Sequence, residues 1–209
     1  YTRFVERMPR VAIPLLLFLK LGLMGECTGI AFIDSTRIPV CENKRQSRNR
    51  VFKGYAQKGK STMGWYYGFK LHLLCNERGE LLNFALTRAN VDDRNQKVFN
   101  DLTKDLFGKL YADKGYISQS LFASLFDRGV HIVTGIRTNM KNRLMDVHDK
   151  IMLRKRSIIE TINDMLKNVA QIVHTRHRSI SNFIVNLLAG IAAYAFYDTK
   201  PSINMEFER

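Results

Sequence analysis

The eight residues Lys109-Leu-Tyr-Ala-Asp-Lys-Gly-Tyr116 constrain the fold more than any other stretch of the chain. The apolar run 110–112 predicts a short buried strand that ends on the carboxylate of Asp113. Gly115 predicts a sharp turn, after which a helix begins near Ser118. An acid placed where a strand ends is held by the sheet and stays open to solvent, which suits a metal ligand.

Two further acids have comparable settings. Asp34 follows the short apolar run 29–33, whose β-branched and aromatic residues predict a central buried strand. Glu160 lies inside a helical pattern that covers residues 156–167. We therefore expect Asp34, Asp113 and Glu160 to meet in space.

A helical wheel sharpens the expectation for Glu160. At about 100° per residue, apolar side chains fall on one face, and the opposite face is polar. The polar residues are Arg156, Glu160, Asn163, Asp164 and Lys167. This face either looks into a cleft or is an ordinary solvated face with salt bridges.

The remaining pattern predicts an α/β domain with a mixed sheet flanked by helices. After the strand that ends at Asp34, the predicted elements are a hairpin at 64–87, helices at 95–107, 118–127, 156–167 and 181–197, and strands at 110–112 and 131–136. Asp92 and Asp93 are expected to cap the first of these helices. Phe122 and Phe126 are expected to point inward from the second. Pro39 argues against a central strand position for residues 38–41.

The charge of the chain indicates a polyanionic partner. Lys and Arg number 33 against 19 Asp and Glu, a formal net charge of +14 over 209 residues. Nucleic acid is the first candidate and an anionic membrane surface the second. Neither apolar stretch, at 11–19 or 183–196, reaches the roughly 20 residues of a membrane span. Three separated cysteines without a C-x-x-C pair indicate reduced thiols in a cytosolic protein and no zinc site.

Residues 43–62 are the most basic segment and contain no acid. We interpret them as a loop that grips a phosphate backbone, with Phe52 and Tyr55 available to stack on bases. A solvated surface loop is the alternative. The basic residues of this segment are Lys44, Arg45, Arg48, Arg50, Lys53, Lys58 and Lys60. Residues 137–156 are also basic and are expected to be irregular, and residues 174–178 add a cationic patch.

Three carboxylates on two strands and a helix suit phosphodiester chemistry. That reaction needs an activated nucleophilic oxygen, a stabilised leaving oxygen and an offset to the phosphate charge, and two divalent ions about 3.5–4 Å apart can supply all three. Magnesium prefers oxygen ligands. Asp34 and Asp113 are expected to contact the metals, Glu160 to complete the shell of the second ion, and Arg156 and Lys167 to hold phosphates nearby.

Several motifs together resemble the catalytic domain of bacterial insertion-sequence DDE transposases. They are Phe-Ile-Asp34-Ser-Thr, Gly68-Phe-Lys-Leu-His72, Thr87-Arg-Ala-Asn-Val-Asp-Asp93, Tyr111-Ala-Asp-Lys-Gly-Tyr116, and Arg156-Ser-Ile-Ile-Glu160 through Lys167. The resemblance implies an RNase-H-like fold and identifies Asp34, Asp113 and Glu160 as the DDE triad. It identifies Arg156 and Lys167 as the accompanying basic residues.

The resemblance also implies a function. It implies a metal-dependent transposase that uses two Mg²⁺ ions, with Mn²⁺ as a substitute, to cleave the ends of its element and join them to target DNA. The partners would be double-stranded DNA and further copies of the chain on that DNA, in the bacterial cytoplasm. The alternatives are a truncated, non-catalytic DNA-binding remnant and, less favoured, a nuclease of RNA–DNA hybrids.

Three regions are expected along the chain. Residues 1–27 are interpreted as the remnant of an N-terminal helical region, 28–198 as the RNase-H-like catalytic domain and 199–209 as a tail. The first residue is Tyr1 rather than Met, so a fragment that lacks an upstream DNA-binding region is expected.

Overall fold

A six-stranded mixed sheet organises the protein, whose computed structural model describes residues 2–136, 144–174 and 176–203. The strands are β1 Ile30–Cys41, β2 Gln57–Ser61, β3 Gly64–Asn76, β4 Leu81–Arg88, β5 Gly108–Ala112 and β6 Val130–Thr134. Their order across the sheet is β2-β3-β1-β5-β6, and β4 pairs with β3. Strands β1, β5 and β6 are parallel, whereas β3 is antiparallel to β1, β2 and β4. The expected mixed α/β fold is confirmed.

Seven α-helices surround the sheet in the described residues. They are α1 Thr2–Arg7, α2 Ala12–Phe18, α3 Gln96–Leu102, α4 Gln119–Phe126, α5 Val147–Lys155, α6 Ser157–Asp164 and α7 Ile180–Ala195. A π-helical turn, Met165–Val169, continues α6. Among the helices of the described ranges, none combines the length and the hydrophobicity of a membrane span.

Each face of the sheet packs against its own set of helices. Side chains alternate between faces along a strand, so Phe32 of β1 joins a core with α6 and α7, whereas Ile33 joins a second core with α3 and α4. Leu19, from the π-helical turn after α2, is fully buried in the first core. The Asp34 side chain therefore belongs to the α6 and α7 face.

Strand β1 continues through Asp34 and Pro39, but over residues 38–41 it pairs, among the described strands, with β3 alone, so the expectation that Pro39 argues against a central position there is confirmed. Pro39 is opposite Gly68 of β3, and the Gly68 carbonyl oxygen accepts the Ala89 amide at 3.2 Å, away from β1. This is a non-hydrogen-bonded pair, and the Pro39 nitrogen faces the other side. Strand β5 pairs with β1 over Ile30 to Phe32, so that side needs no donor at Pro39.

Two expectations about helix ends and faces were wrong. Asn95, not Asp92 or Asp93, caps α3 by accepting the Val98 amide. Asp92 binds Arg94. Asp93 pairs with Lys70 of β3 at 3.0 Å, so its carboxylate binds the sheet instead of capping the helix.

On α4, Leu121 and Leu125 are buried, but Phe122 and Phe126 are 43% and 63% exposed and stack on each other. Fewer apolar residues of α4 therefore contact the sheet than the sequence pattern predicts.

Helix α5 lies in the segment that was expected to be irregular. The carboxylate of Asp149 is buried and accepts hydrogen bonds from the Lys109 ammonium at 2.7 Å and the Tyr111 hydroxyl at 2.8 Å. These two residues belong to β5, so α5 is fixed beside the strand that ends at Asp113. Burial opposes the charge of Asp149, but its partners hold its pKa below the ordinary value. The basic residues Arg137, Lys141 and Arg143 lie outside the described residues.

Candidate active site

Asp34 and Asp113 occupy equivalent positions on adjacent parallel strands. Phe32 of β1 pairs with Tyr111 of β5, and each acid follows two residues later. Residues two apart on a strand point to the same face, so both carboxylates project toward the α6 side. β5 ends at Ala112, and the Asp113 carboxylate then accepts the Lys114 amide at 2.7 Å at the start of a 3₁₀ turn.

Helix α6 brings Glu160 to the same place. The Arg156 guanidinium donates to Glu160 Oε1 at 2.8 Å, and its other terminal nitrogen lies 4.0 Å from Asp34 Oδ1. Asn163, one turn after Glu160, donates from Nδ2 to Asp34 Oδ2 at 3.0 Å. One cation thus contacts two of the three acids, and one amide fastens the helix to β1.

The acids influence one another electrostatically. The pKa of Asp34 is raised to about 6, chiefly by burial and further by the charges of Glu160 and Asp113. The Arg156 charge and a backbone hydrogen bond from Ser35 act in the opposite direction. Asp34 is the most buried of the three acids, and Asp113 and Glu160 are exposed at the mouth of the site.

Lys167 lies in the π-helical turn on the same side of the sheet. Burial and the nearby Arg37 charge lower its pKa, while the carboxylates of Asp34 and Asp164 act to raise it. The structure therefore brings Lys167 as well as Arg156 within electrostatic reach of Asp34.

The basic segment is not at the acids. It begins beyond the end of β1, and Cys41 is seven residues, or about 23 Å along an extended strand, from Asp34. Part of it is regular structure rather than loop, a 3₁₀ helix Asn43–Arg48 and the strand β2. All seven basic side chains are exposed, and Lys44 pairs with Glu42 at 3.0 Å. The seven are Lys44, Arg45, Arg48, Arg50, Lys53, Lys58 and Lys60.

One proposed base-stacking residue is excluded by its position. Phe52 is 1% exposed and packs edge-on against Phe69 and Phe183 in the core. It cannot stack on a base without leaving the core, so that expectation was wrong. Tyr55 is exposed.

Sequence patterns did not predict the contacts of several polar residues. Asn163 was placed on the polar face of its helix, but its bond to Asp34 depends on a contact 129 residues away. On the opposite face of the sheet, Lys70 binds Asp93, and the His72 ring is 2.9 Å from the Thr87 hydroxyl. Tyr116 is buried beside this group, and burial and the charges of Asp93 and Asp34 raise its pKa well above the ordinary value.

The donor set suits a hard divalent cation. Two aspartates and one glutamate offer oxygen ligands, which Mg²⁺ and Mn²⁺ prefer. Burial, and to a smaller extent the charges of Glu160 and Asp113, raise the Asp34 pKa, and a bound cation would favour the charged carboxylate against both effects. Within the described ranges, no three His, Cys, Asp or Glu side chains are already grouped as ligands, and Arg156 contributes the local positive charge.

Three solved structures match this chain over most of its length. A piggyBac transposase synaptic complex with hairpin DNA matches at a TM-score of 0.53 and 11% identity, over 82% of this chain and 47% of that chain. A simian T-cell lymphotropic virus intasome in complex with a PP2A regulatory subunit matches at a TM-score of 0.36 and 12% identity, over 80% of this chain and 48% of that chain. The Mos1 strand transfer complex matches at a TM-score of 0.34 and 10% identity, over 93% of this chain and 60% of that chain.

At these identities the first match shows a shared fold. This chain spans about half of the piggyBac chain. No curated protein sequence matches. The sequence profile of the family described as "Transposase DDE domain" matches residues 24–180, which is most of the chain and includes Asp34, Asp113 and Glu160. The chain therefore belongs to the Transposase DDE domain family.

Proposed function

We propose that this chain is the catalytic domain of a DNA transposase and that Asp34, Asp113 and Glu160 form its triad. The observation that carries the proposal is the attachment of α6 to β1. Arg156 and Asn163 both contact Asp34, and Arg156 also binds Glu160, which supports a shared site for Glu160 and the two aspartates on adjacent strands. Membership of the family supports the same assignment.

Domains of this family generally depend on divalent metal ions. In this chain the three carboxylates would hold two Mg²⁺ ions, with Mn²⁺ as a substitute. When bound, such ions offset charge on the reacting phosphate and promote deprotonation of the attacking hydroxyl or water. Arg156 and Lys167 would hold the non-bridging oxygens of that phosphate, since Arg156 lies against Asp34 and the Lys167 charge is within electrostatic reach of the same carboxylate.

The substrate that fits this arrangement is double-stranded DNA, first at the ends of the element and then at the target. The net charge of +14 and the exposed basic segment support a polyanion. The similar piggyBac structure is a complex with DNA. Because two ends must be joined, we propose that copies of the chain assemble on the DNA, in the bacterial cytoplasm.

The test compares Asp113→Asn with Asp105→Asn, an exposed aspartate that pairs with Lys104. Both variants are made in the full-length natural protein and given a plasmid that carries the DNA flanking the gene. With Mg²⁺ or Mn²⁺, Asp113→Asn should lower the rate of end cleavage by roughly 100-fold or more, because it removes a carboxylate charge from the site. Asp105→Asn should cleave at the wild-type rate.

DNA affinity, measured by fluorescence anisotropy, should be equal in the two variants. Cleavage that survives Asp113→Asn would overturn the triad. A wild-type protein that binds DNA but never cuts it, with either metal, would instead support a non-catalytic DNA-binding remnant.

A further inference from the structure

The hairpin formed by β2 and β3 carries an exposed tryptophan between two lysines. Trp65 is 54% exposed, and the ammonium groups of Lys58 and Lys60 lie 5.1 and 5.9 Å from the centre of its ring. Lys60 pairs directly with Trp65 across the two strands, so all three side chains share one face. An exposed indole held under two cations is pre-arranged for a partner that offers both negative charge and flat or apolar groups.

This face is the one that carries Asp34. Leu73 of β3 pairs with Asp34, and Trp65 is eight residues before Leu73 on the same strand. An even separation places both side chains on the same face, at a distance of about 26 Å along an extended strand. Duplex DNA rises about 3.4 Å per base pair, so the span corresponds to about eight base pairs.

Further basic residues lie on the same side of the sheet. Lys167 is near Asp34. The centre of the His177 ring lies 6.4 Å from that of Phe52 and 5.2 Å from that of Phe183, so the neighbouring Arg176 and Arg178 lie beside the basic segment. Burial lowers the pKa of His177 to about 4, so the two arginines supply the charge of that patch.

A polar cavity adjoins the hairpin. It has a volume of about 450 Å³, and its described lining contains amide, hydroxyl and lysine groups but no Asp or Glu. Asn43 lines this cavity and donates to the Trp65 carbonyl oxygen at 2.6 Å, which joins the cavity to the hairpin. Lys53 lies on the same wall. Such donors match the sugar and phosphate oxygens of a nucleic acid.

We propose that Trp65, Lys58 and Lys60 form a duplex-DNA contact site, separate from the acids, that grips the sugar–phosphate backbone about eight base pairs from the reacting phosphate. The two lysines neutralise neighbouring phosphates, and the indole packs against the deoxyribose between them. The site rests on the proposed function for its DNA partner, but it makes its own prediction. Loss of cleavage and loss of this contact are separate measurements.

Trp65 is the single tryptophan of the chain, so its emission reports this site alone. The wild-type chain is titrated with a dye-labelled duplex of about 20 base pairs, longer than the proposed spacing. Anisotropy of the dye measures binding while tryptophan emission measures contact. We expect the emission to be quenched and to saturate at the same DNA concentration as the anisotropy. Saturated anisotropy with unchanged emission would overturn the site.

Two sets of variants separate the roles of the three residues. Lys58→Gln with Lys60→Gln should reduce the slope of log K against log salt by about 1.8, since each phosphate contact contributes about 0.9. The matched control, Lys97→Gln with Lys104→Gln, removes two exposed lysines near α3, on the other face of the sheet, and should leave the slope nearly unchanged. Equal slopes for the two pairs would contradict the proposal.

Trp65→Ala should weaken binding roughly ten-fold with little change in the salt slope, because the indole contributes packing rather than charge. Trp65→Phe should restore most of the affinity. Circular dichroism should show wild-type folding for both, since Trp65 is largely exposed. Wild-type affinity in Trp65→Ala would remove Trp65 from the site, while metal-dependent cleavage by that variant would leave the proposed triad intact.

Discussion

The side-chain amide of Asn163 on α6 donates a hydrogen bond to the carboxylate of Asp34 on β1, at 3.0 Å and across 129 residues of sequence. Asn163 is almost fully buried, so the bond is shielded from water. It sets the rotation of α6 about its own axis. Because Glu160 lies one turn earlier, the same bond determines where Glu160 points.

Replacing Asn163 should therefore damage both stability and chemistry. Asn163→Ala leaves a partly buried carboxylate without one donor, which should cost about 2 kcal/mol of the free energy of unfolding. It should also lower the cleavage rate, since α6 loses its attachment to β1. Urea denaturation and single-turnover cleavage check the two effects. Asn168→Ala is the control. The Asn168 side chain is exposed and binds Asp164, so this variant should show neither the loss of stability nor the loss of cleavage.

Arg156 should be needed for its fork of donors and not just for its charge. Arg156→Gln leaves Asp34 and Glu160 without the cation between them, and Arg156→Lys keeps the charge but cannot contact both carboxylates in the same way. We expect the cleavage rate to fall by roughly ten-fold or more in Arg156→Gln and by less in Arg156→Lys. Arg154→Gln, an exposed arginine of α5, should cleave normally. If Arg154→Gln were equally impaired, general loss of basic charge would explain the result instead.

Asp149 should contribute to stability through β5. Asp149→Ala removes the acceptor for the buried Tyr111 hydroxyl and the Lys109 ammonium. We expect the free energy of unfolding to fall by about 3 kcal/mol, because both donors lose a buried charged partner. Asp146→Ala, at the exposed N-cap of the same helix, should cost about 1 kcal/mol. Thermal and urea unfolding of the two variants measure the difference, and similar losses would contradict a special role for the buried contact.

Acid should destabilise the protein through His72. Burial lowers the pKa of this histidine to about 4, against an upward influence of Asp93 and a further lowering by Lys70. The unfolded chain binds a proton near pH 6.5 and the folded chain does not, so stability is complete above pH 6.5 and declines as the pH falls toward 4. The loss should approach about 1.4 kcal/mol per pH unit, or about 2 kcal/mol between pH 6.5 and 5.

The measurement is urea unfolding at several pH values for the wild type and for His72→Gln, which cannot titrate. The variant should be less stable at pH 7 but should lose about 2 kcal/mol less on acidification to pH 5. Other groups, including His177, titrate in both proteins and cancel in the difference. Parallel pH profiles for the two proteins would show that His72 is not the group responsible.

Local patterns in the sequence were sufficient for most of the sheet and for the position of each acid along the chain. Apolar runs locate β1 and β5, Gly115 follows the acid that ends β5, and the helical period places Glu160 on a polar face. These features depend on neighbouring residues, which sequence shows directly. The hairpin of β3 and β4 was predictable for the same reason.

Tertiary contacts decided the rest. The full length of β1 through Pro39 depends on which side of the strand is paired, and the burial of Phe52 depends on Phe69 and Phe183. The cap of α3 depends on whether Lys70 of the sheet engages Asp93. None of these partners is close in sequence.

The site shows the same division. Sequence alone determined which residues carry negative charge and where each lies on its strand or helix. Residue type and the local spacing of apolar residues can both be read directly from the sequence. The fold alone decided that Asp34 is partly buried and that Asn163 and Arg156 bind it, because burial and long-range hydrogen bonds exist once β1 and α6 have packed together. Its raised pKa is a consequence of that packing.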